Sequence, residues 1–170
     1  MNENKIEKQT FTYPFLFRII FRFGNIIITL LLVIYSIPLL VALDQRKILV
    51  IPLLVSLLVI YFLNRHYLTL YKILPYKIEA DNEKIVCSDF FLSKKEIIIN
   101  YNDIDFLSGG LFENRMSGIM QVCDSKKDFC FGFYHRLRNS NKLVTIILSK
   151  VKRELYDEVL EKLISKGKKK

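Results

Sequence analysis

Several residue types that build catalytic and metal sites are scarce in this chain. Its 170 residues include no Trp, two His and three Cys, namely Cys87, Cys123 and Cys130. The cysteines do not follow the tight spacing of a zinc site, and neither His66 nor His135 lies at a recognised spacing from them. The sequence also contains no G-x-S-x-G, P-loop or H-E-x-x-H motif and no paired carboxylates. We therefore expect no catalytic residue, no metal and no cofactor, and we predict that the protein is not an enzyme.

Formal charge is absent from two long stretches. Residues 24–43 form an uncharged run of 20 residues, and residues 48–64 form a second run of 17. A bilayer core of about 30 Å requires about 20 helical residues. The pattern excludes a purely soluble globule and predicts a transmembrane helical hairpin over residues 14–75, with the second helix extending to 74. Neither span has an ionisable residue between its ends, which favours an anchor over an ion path.

A polar segment and then an aromatic one precede the first span. Residues 1–13 are predicted to be a polar tail, disordered over the first ten residues. In the sequence that follows, aromatic residues stand on both sides of Arg18 and Arg22. The apolar stem of an arginine side chain can lie in the membrane while its charged group reaches the lipid headgroups. We predict Arg18, Arg22 and Arg65 as anchors at the membrane interface. An amphipathic sensor of lipid or curvature is the alternative for the aromatic segment.

The distribution of charge predicts the membrane topology. The net charge is +9 for the chain and +4 for residues 76–170, of which the three final lysines supply most. A nearly neutral folded part is not the basic footprint of a nucleic-acid-binding protein. Basic residues flank the outer ends of the two spans, whereas the loop at 44–47 carries only two. The positive-inside rule therefore places both termini in the cytoplasm and the loop outside.

From residue 76 onward the hydrophobic pattern alternates, as in β-strands. Strands are predicted at 76–80, 84–91, 95–100 and 104–107, before a loop at 111–116 and a further hairpin. A single amphipathic helix is expected to follow the cap cluster Asn139-Ser140-Asn141 and to end near Gly167.

The register of the later hairpin follows from its apolar side chains. With its tip at Lys126-Lys127, or in a four-residue loop on the same axis, Cys123 lies opposite Cys130. The predicted core face of this hairpin consists of Met120, Val122, Phe129, Phe131 and Phe133. In an oxidising compartment the two cysteines can form a cross-strand disulfide, whereas in the cytoplasm they are expected to be small buried thiols.

This order of elements resembles that of bacterial pleckstrin-homology-like (PH-like) membrane proteins. The resemblance is carried by the segments YKIEADNEKIVC, IIINYNDIDFLS, GIMQVCDSKKDFCFGF and NSNKLVTIILSKV. It implies an α+β fold for residues 76–166, a curved antiparallel β-barrel capped by a C-terminal amphipathic helix, with a basic tail at 167–170. The resemblance also implies binding or scaffolding rather than catalysis.

We therefore predict a non-enzymatic, membrane-anchored PH-like interaction or scaffold module, multi-pass in a bacterial inner (plasma) membrane. Its expected partners are the lipid bilayer and a protein or a second copy of the chain, but no nucleic acid. The candidate contacts with an anionic headgroup or a partner are Lys94, Lys95, Lys126, Lys127, Arg136 and Arg138. The net acidic loop at 81–84 disfavours inositol phosphates. Two alternatives stay open, namely a small effector or pore-forming subunit whose spans oligomerise, and a module that recognises anionic lipid.

Overall fold

The computed structural model describes residues 8–115 and 117–167. These residues form two compact units, a helix pair of residues Phe15–Lys72 and a sheet unit built from residues on both sides of the pair. The sheet unit contains the chain up to Pro14 and again from Ile73 onward. Residues 1–7, and residues 168–170 of the predicted basic tail at 167–170, lie outside the described part of the chain.

The helix pair consists of α1, Phe15–Val41, and α2, Val50–Ile73. At about 1.5 Å per residue, both helices exceed the thickness of a bilayer core. Both are also apolar enough to cross a membrane, and only 6% and 11% of their most apolar windows are buried inside the protein. The two predicted spans coincide with these helices and the short turns between them. α2 ends one residue before the predicted position 74.

The N-terminal segment contains a strand, which corrects the predicted polar tail at 1–13. Residues Gln9–Thr12 form β1, which pairs antiparallel with β2, Pro75–Ala80. The physical reason is the alternation of aromatic side chains at two-residue spacing. Phe11 and Tyr13 are only 2% and 4% exposed, because both point into the core of the sheet unit.

Two antiparallel sheets make up the rest of the sheet unit. The first has the order β1-β2-β3-β4, and the second has the order β5-β6-β7. Their remaining strands are β3 at Lys84–Phe90, β4 at Ile97–Asn100, β5 at Phe106–Ser108, β6 at Ile119–Asp124 and β7 at Phe129–Tyr134. The predicted barrel is therefore not closed, because among the described residues no strand pairing joins the two sheets. The short turn at Tyr101–Asp103 separates β4 from β5, and the side chain of Tyr101 is buried beneath it.

The register of the β6–β7 hairpin agrees with the prediction. Cys123 pairs with Cys130, Val122 with Phe131 and Met120 with Phe133, around a four-residue tip at Ser125–Asp128. The core face is confirmed for four of its five predicted residues, because Met120, Val122, Phe131 and Phe133 are fully buried. Phe129, the fifth, is only half-buried because it lies next to the tip.

The predicted single C-terminal helix is interrupted. The structure has α3 at Ser140–Lys150 and α4 at Arg153–Gly167, separated by Val151 in an extended conformation. α3 buries Leu143, Val144, Ile146 and Ile147, whereas α4, over its side chains up to residue 165, buries Leu155 and Val159. The break allows each helix to direct its own apolar stripe towards the sheets. Asn139 caps α3 in a left-handed conformation without a side-chain hydrogen bond, in contrast to the predicted cap cluster.

Candidate functional site

The structure brings two of the predicted basic sets close together. Lys94 and Lys95 lie in the exposed turn between β3 and β4, and Lys126 and Lys127 lie in the β6–β7 tip. The Nζ atom of Lys95 lies 5.2 Å from the centre of the Phe129 ring, which connects the two loops by a cation–π contact. We call residues 91–96 and 125–128 together the lysine loops.

Acidic groups neutralise part of the lysine loops. Lys127 Nζ lies 3.4 Å from a carboxylate oxygen of Asp103 and 3.4 Å from one of Asp124, and these bonds raise the pKa of Lys127. Hydrogen bonds from Asn100 and Lys127 lower the pKa of Asp103. Lys127 is therefore held by ion pairs within the protein, whereas Lys94, Lys95 and Lys126 lie at exposed positions.

The tip is held by hydrogen bonds from its backbone. Asp124 is fully buried, and its Oδ1 accepts the backbone N–H groups of Lys126 and Lys127 at 3.1 and 3.3 Å. The carboxylate of Asp105 accepts the N–H of Ser125 at 3.1 Å. Asp128 completes the turn with a φ of 48°. This bonding explains how a Lys-Lys sequence, which lacks the usual turn residues, forms the tip.

The other predicted basic residues lie elsewhere on the sheet unit. Arg136 and Arg138 occupy the exposed turn between β7 and α3, and the backbone N–H of Arg138 donates to the carbonyl of Thr12 at 3.1 Å. They flank a shallow cleft of about 580 Å³ lined by His135, Leu137 and residues 139–142. The structure therefore separates the six predicted contacts into the lysine loops and this turn.

The three predicted interface arginines all belong to the helix pair. Arg18 and Arg22 lie in the first two turns of α1, and Arg65 lies near the end of α2. Because the helices are antiparallel, all three occupy the end of the pair opposite the loop at 44–47. Arg65 donates to the hydroxyl of Tyr61 at 3.2 Å.

A polar seam between the two helices was not recognised from the sequence. Its hydrogen-bonded members are Asn25, Thr29 and Ser36 on α1, and Ser56 and Asn64 on α2. The α1 residues are spaced by four and then seven positions, and a heptad spacing of this kind keeps them on one face of a helix. This spacing is the signal that the sequence offers for the seam, although uncharged polar residues leave the apolar character of the spans unchanged.

The seam pairs its polar groups across the helix interface. Asn25 Nδ2 donates to Asn64 Oδ1 at 2.9 Å, and Asn64 Nδ2 donates to Thr29 Oγ1 at 3.0 Å. Further along, the hydroxyls of Ser36 and Ser56 share a hydrogen bond of 2.9 Å. In hydrocarbon, such polar contacts and small residues hold neighbouring helices together. The outward faces of both helices are almost entirely apolar and exposed.

The opposite cysteines are joined. Cys123 and Cys130 form a disulfide, with their Cα atoms 4.1 Å apart. Cys87 is a free thiol, fully buried, and burial raises its pKa. Of the two states that the sequence leaves open, the structure therefore contains the oxidised one.

A polar cleft of about 600 Å³ lies at the opposite end of β4 from Lys94 and Lys95. It is lined by Asn82, Glu83, Lys150 and residues 100–103. Lys150 Nζ donates to the Asn82 carbonyl at 2.7 Å and lies 5.3 Å from the centre of the Tyr101 ring. Lys150, the cationic side chain among the residues that line this cleft, is thus already hydrogen-bonded to another lining residue. Within the described residues, no group of three or more His, Cys, Asp or Glu side chains is placed to hold a metal ion.

Comparison with protein-family models, curated protein sequences and solved structures finds no match for this chain. Its function therefore has to be inferred from its own geometry.

Proposed function

We propose that this protein is a membrane-anchored PH-like interaction module at the cytoplasmic face of a bacterial inner membrane, and that it acts by binding rather than by catalysis. The helix pair anchors the chain, and the sheet unit presents a surface to a protein partner or to a second copy of the chain.

The observation that carries the proposal is the position of the helix pair in the chain. β1 precedes the pair and β2 follows it, yet the two strands are neighbours in one sheet. The pair is thus an insertion in the connection between two paired strands. Two crossings of a membrane return the chain to the side from which it started, so this arrangement is compatible with a spanning pair. It tethers the sheet unit at two points.

The PH-like assignment is supported by the order of elements. Sheets of four and three antiparallel strands are followed by helical segments that bury an apolar stripe. β1 adds a strand to the set from which the resemblance was drawn. The seven strands of the described residues and the apolar stripes of the C-terminal helices support the resemblance, whereas the two unjoined sheets and the break at Val151 depart from the closed barrel with a single capping helix that it implies.

The proposal of a non-catalytic role is supported by the titratable groups with shifted pKa values. Hydrogen bonds from Lys77, on the same strand, and from Lys8, which directly precedes β1, lower the pKa of Glu79. Burial raises the pKa of Tyr13, whose hydroxyl accepts the backbone N–H of Tyr134 at 2.9 Å. Each shift has a structural cause in strand pairing, turn formation or burial. These shifts are therefore accounted for by the fold and do not by themselves mark a catalytic group.

The proposed orientation comes from the flanking charges. Lys5, Lys8, Arg18 and Arg22 precede the apolar run, and Arg65 and Lys72 follow the second, against two basic residues in the loop at 44–47. The positive-inside rule then assigns the sheet unit to the cytoplasm.

One exposed stripe of the sheet unit has the composition of a binding surface. Tyr156, Leu160 and Ile164 recur every fourth residue along α4, and all three are exposed. They lie beside the inner face of Leu155 and Val159, whereas Asp157 and Glu161 occupy the polar side of the helix. Exposed apolar stripes next to polar residues are typical of interaction sites.

A photo-crosslinking amino acid placed on α4 of the full chain tests the proposal in cells. We expect adducts when the probe replaces Leu160 and none when it replaces Glu161, which is the matched exposed neighbour. An adduct of twice the chain mass identifies a second copy, and any other discrete mass identifies a protein partner. Absence of adducts from Leu160, together with a chain that is always purified alone as a monomer, would refute the interaction role.

Recognition of anionic lipid is a second candidate, favoured by the three exposed lysines of the lysine loops, Lys94, Lys95 and Lys126. Each such charge contributes about 1 kcal/mol near an anionic surface. The full chain is already bound to bilayers, so the test is the distribution of lipids that co-purify with it. Enrichment of anionic lipid that is lost on replacement of these lysines by Gln would favour this candidate. The pore-forming alternative is less favoured, because the side chains of the seam hydrogen-bond to one another between the helices, with the buried Oδ1 of Asn25 as the exception.

A further inference from the structure

We propose that Cys123 and Cys130 are a reversible thiol–disulfide couple that restrains the lysine-bearing β6–β7 tip when a low-molecular-weight disulfide oxidises it. The inference rests on the proposed cytoplasmic location of the sheet unit. In that compartment disulfides are rare, and those that form are mostly transient and regulatory or catalytic.

The type of strand pairing favours easy interconversion of the two states. The carbonyl of Cys123 accepts the backbone N–H of Asp105 at 3.1 Å, so the backbone polar groups of Cys123 point towards β5 and away from β7. Cys123 and Cys130 are therefore a non-hydrogen-bonded pair, the type in which opposite side chains lie closest. Their Cα atoms are only 4.1 Å apart. The disulfide therefore joins two side chains that the strand pairing already holds opposite each other.

The hairpin has independent support, so it does not depend on the covalent bond. Its tip is held by the bonds to Asp124 and Asp105, and its inner side chains are fully buried. The disulfide closes a short loop, with a sequence separation of 7, and short loops gain least from a crosslink. A crosslink of this kind can be broken and reformed while the fold persists.

Access differs among the three cysteines. Cys130 is half-buried on β7, which is an edge strand of its sheet, whereas Cys123 is 7% exposed. Cys87 is fully buried, and burial raises its pKa, so it is protected from reaction. Cys130 is therefore the sulfur that an external reagent meets first.

The chemistry is a pair of thiol–disulfide exchanges. The Cys130 thiolate attacks one sulfur of the small disulfide, which forms a mixed disulfide and releases one small thiolate. The Cys123 thiolate then attacks Cys130 Sγ and displaces the second small thiolate. In total, the protein dithiol loses two electrons and two protons, and the small disulfide becomes two thiols.

The position of the couple explains what oxidation changes. Cys123 directly precedes Asp124, the residue that caps the tip, and Cys130 directly follows Phe129, the residue that contacts Lys95. The bond therefore fixes both strands at the base of the tip and restrains the presentation of Lys126. A partner or headgroup that binds the lysine loops would meet a more rigid surface in the oxidised state.

Equilibration of the full chain in detergent with mixtures of reduced and oxidised glutathione tests the couple, with acid quenching, alkylation and mass spectrometry as the readout. We expect the thiols of Cys123 and Cys130 to disappear together in one two-electron transition, and Cys87 to stay unmodified. Hydrogen exchange of the Ser125–Asp128 amides should be slower in the oxidised form.

Cys123→Ser should accumulate the mixed disulfide at Cys130, whereas Cys130→Ser should leave Cys123 largely unmodified. A pair that remains oxidised in excess reduced glutathione, or never oxidises, would overturn the couple.

Alkylation in cells separates failure of this inference from failure of the proposed function. We expect reduced thiols at Cys123 and Cys130 in resting cells, and an intramolecular disulfide after treatment with a thiol oxidant. A pair that is always oxidised, while an impermeant reagent labels a probe at Gln45, would reject the couple and retain the topology. A pair that is always oxidised, while the reagent labels a probe at Ser165 instead, would reject the cytoplasmic location itself.

Discussion

Phe131 and Phe133 stand on the inner face of β7, and neither side chain retains any exposed surface. Their rings stack with centroids 6.2 Å apart. Tyr134 follows them on the other face and is only half-buried. The alternation at these three residues determines which side of the second sheet forms the core.

Replacement of Phe131 or Phe133 by Ala should lower the free energy of unfolding of the sheet unit by about 3–5 kcal/mol, the usual cost of removing a buried phenyl ring. Tyr134→Ala should cost clearly less. Pulse proteolysis of the full chain in mild detergent, over a urea series, measures each value. Near-neutral effects for both Phe variants, combined with unfolding by Tyr134→Ala, would show that the register is displaced by one residue.

Glu79 on β2 forms ion pairs with Lys77 on the same strand, at 2.7 Å, and with Lys8, which directly precedes β1, at 2.8 Å. These bonds lower its pKa below the ordinary value of 4.5. A carboxylate with a lowered pKa stabilises the folded state above its ordinary pKa, and this contribution is lost as the pH falls through the lowered value. We expect Glu79→Gln to remove this part of the acid destabilisation, so that wild type loses stability more steeply than the variant below about pH 4.5. Urea unfolding at several pH values measures the difference, and parallel profiles would contradict the role of Glu79.

At the scale of single residues, the sequence correctly predicted the burial and pairing of residues that depend only on the alternation of side chains along a strand. The pairing of Cys123 with Cys130 followed from the apolar residues on either side, because a slip of one position would expose Phe131. Phe129 could not be assigned in the same way, since its burial depends on how far the tip projects. One partner of Lys127, Asp103, lies on another loop, so sequence spacing gave no indication of it, whereas the other, Asp124, is only three residues away.

At the scale of elements, the predictions succeeded where one strong pattern filled the segment. The two apolar runs gave α1 and α2, and the alternating segments gave β2, β3 and β4 within two residues. β1 was missed because four residues are too short for a reliable pattern, and because its partner strand lies beyond both helices. The break at Val151 has no Gly or Pro to announce it, and its counterpart is tertiary: α3 contacts the turn at Tyr101–Asp103, whereas α4 contacts the turn at Gly110–Glu113 and β5.

The polar seam predicts a specific crosslink between the helices. Ser36 and Ser56 share a hydrogen bond of 2.9 Å, so cysteines at both positions should oxidise to an intramolecular disulfide. The matched control is a pair at Ile37 and Leu57, one residue along each helix, where both side chains are exposed. The experiment uses a chain whose native cysteines are replaced, and thiol counting by mass spectrometry reports the result. Equal oxidation of both pairs would show that the helices do not hold this register.

At the scale of the whole molecule, the chain returns to its first sheet after the helix pair, and this return limits the possible membrane topologies. Residues 8–14 and residues from 73 onward belong to one sheet unit, so they must lie on the same side of any membrane that the helix pair crosses. The strand pairing does not indicate on which side of the membrane the sheet unit lies. The prediction of that side depends on the charges that flank the spans.

Single-cysteine labelling tests the choice of side. With the native cysteines replaced, a probe at Gln45 should react with an impermeant maleimide on intact cells, and a probe at Ser165 should react only after permeabilisation. Both positions are exposed, which makes the two probes comparable. The reverse pattern would place the sheet unit outside the cytoplasm.

The helix pair is inserted into a sheet unit that begins before it. Thr12 pairs with Lys77, so a hairpin loop of about four residues between Pro14 and Leu74 should close the gap left by removal of the helices. The comparison chain begins at Leu74 and lacks residues 8–14. It therefore loses Phe11 and Tyr13 from the core and the hydrogen bond from Arg138 to Thr12.

Urea unfolding of these two helix-free chains is the most direct measurement. We predict that the joined chain is soluble and monomeric and unfolds cooperatively, whereas the chain without residues 8–14 is less stable by at least about 3 kcal/mol, the cost of losing one buried aromatic side chain, or aggregates through the uncovered edge of β2. Equal stability of the two chains, with the same dispersion of amide resonances, would contradict the insertion and show that β1 is not an integral part of the sheet.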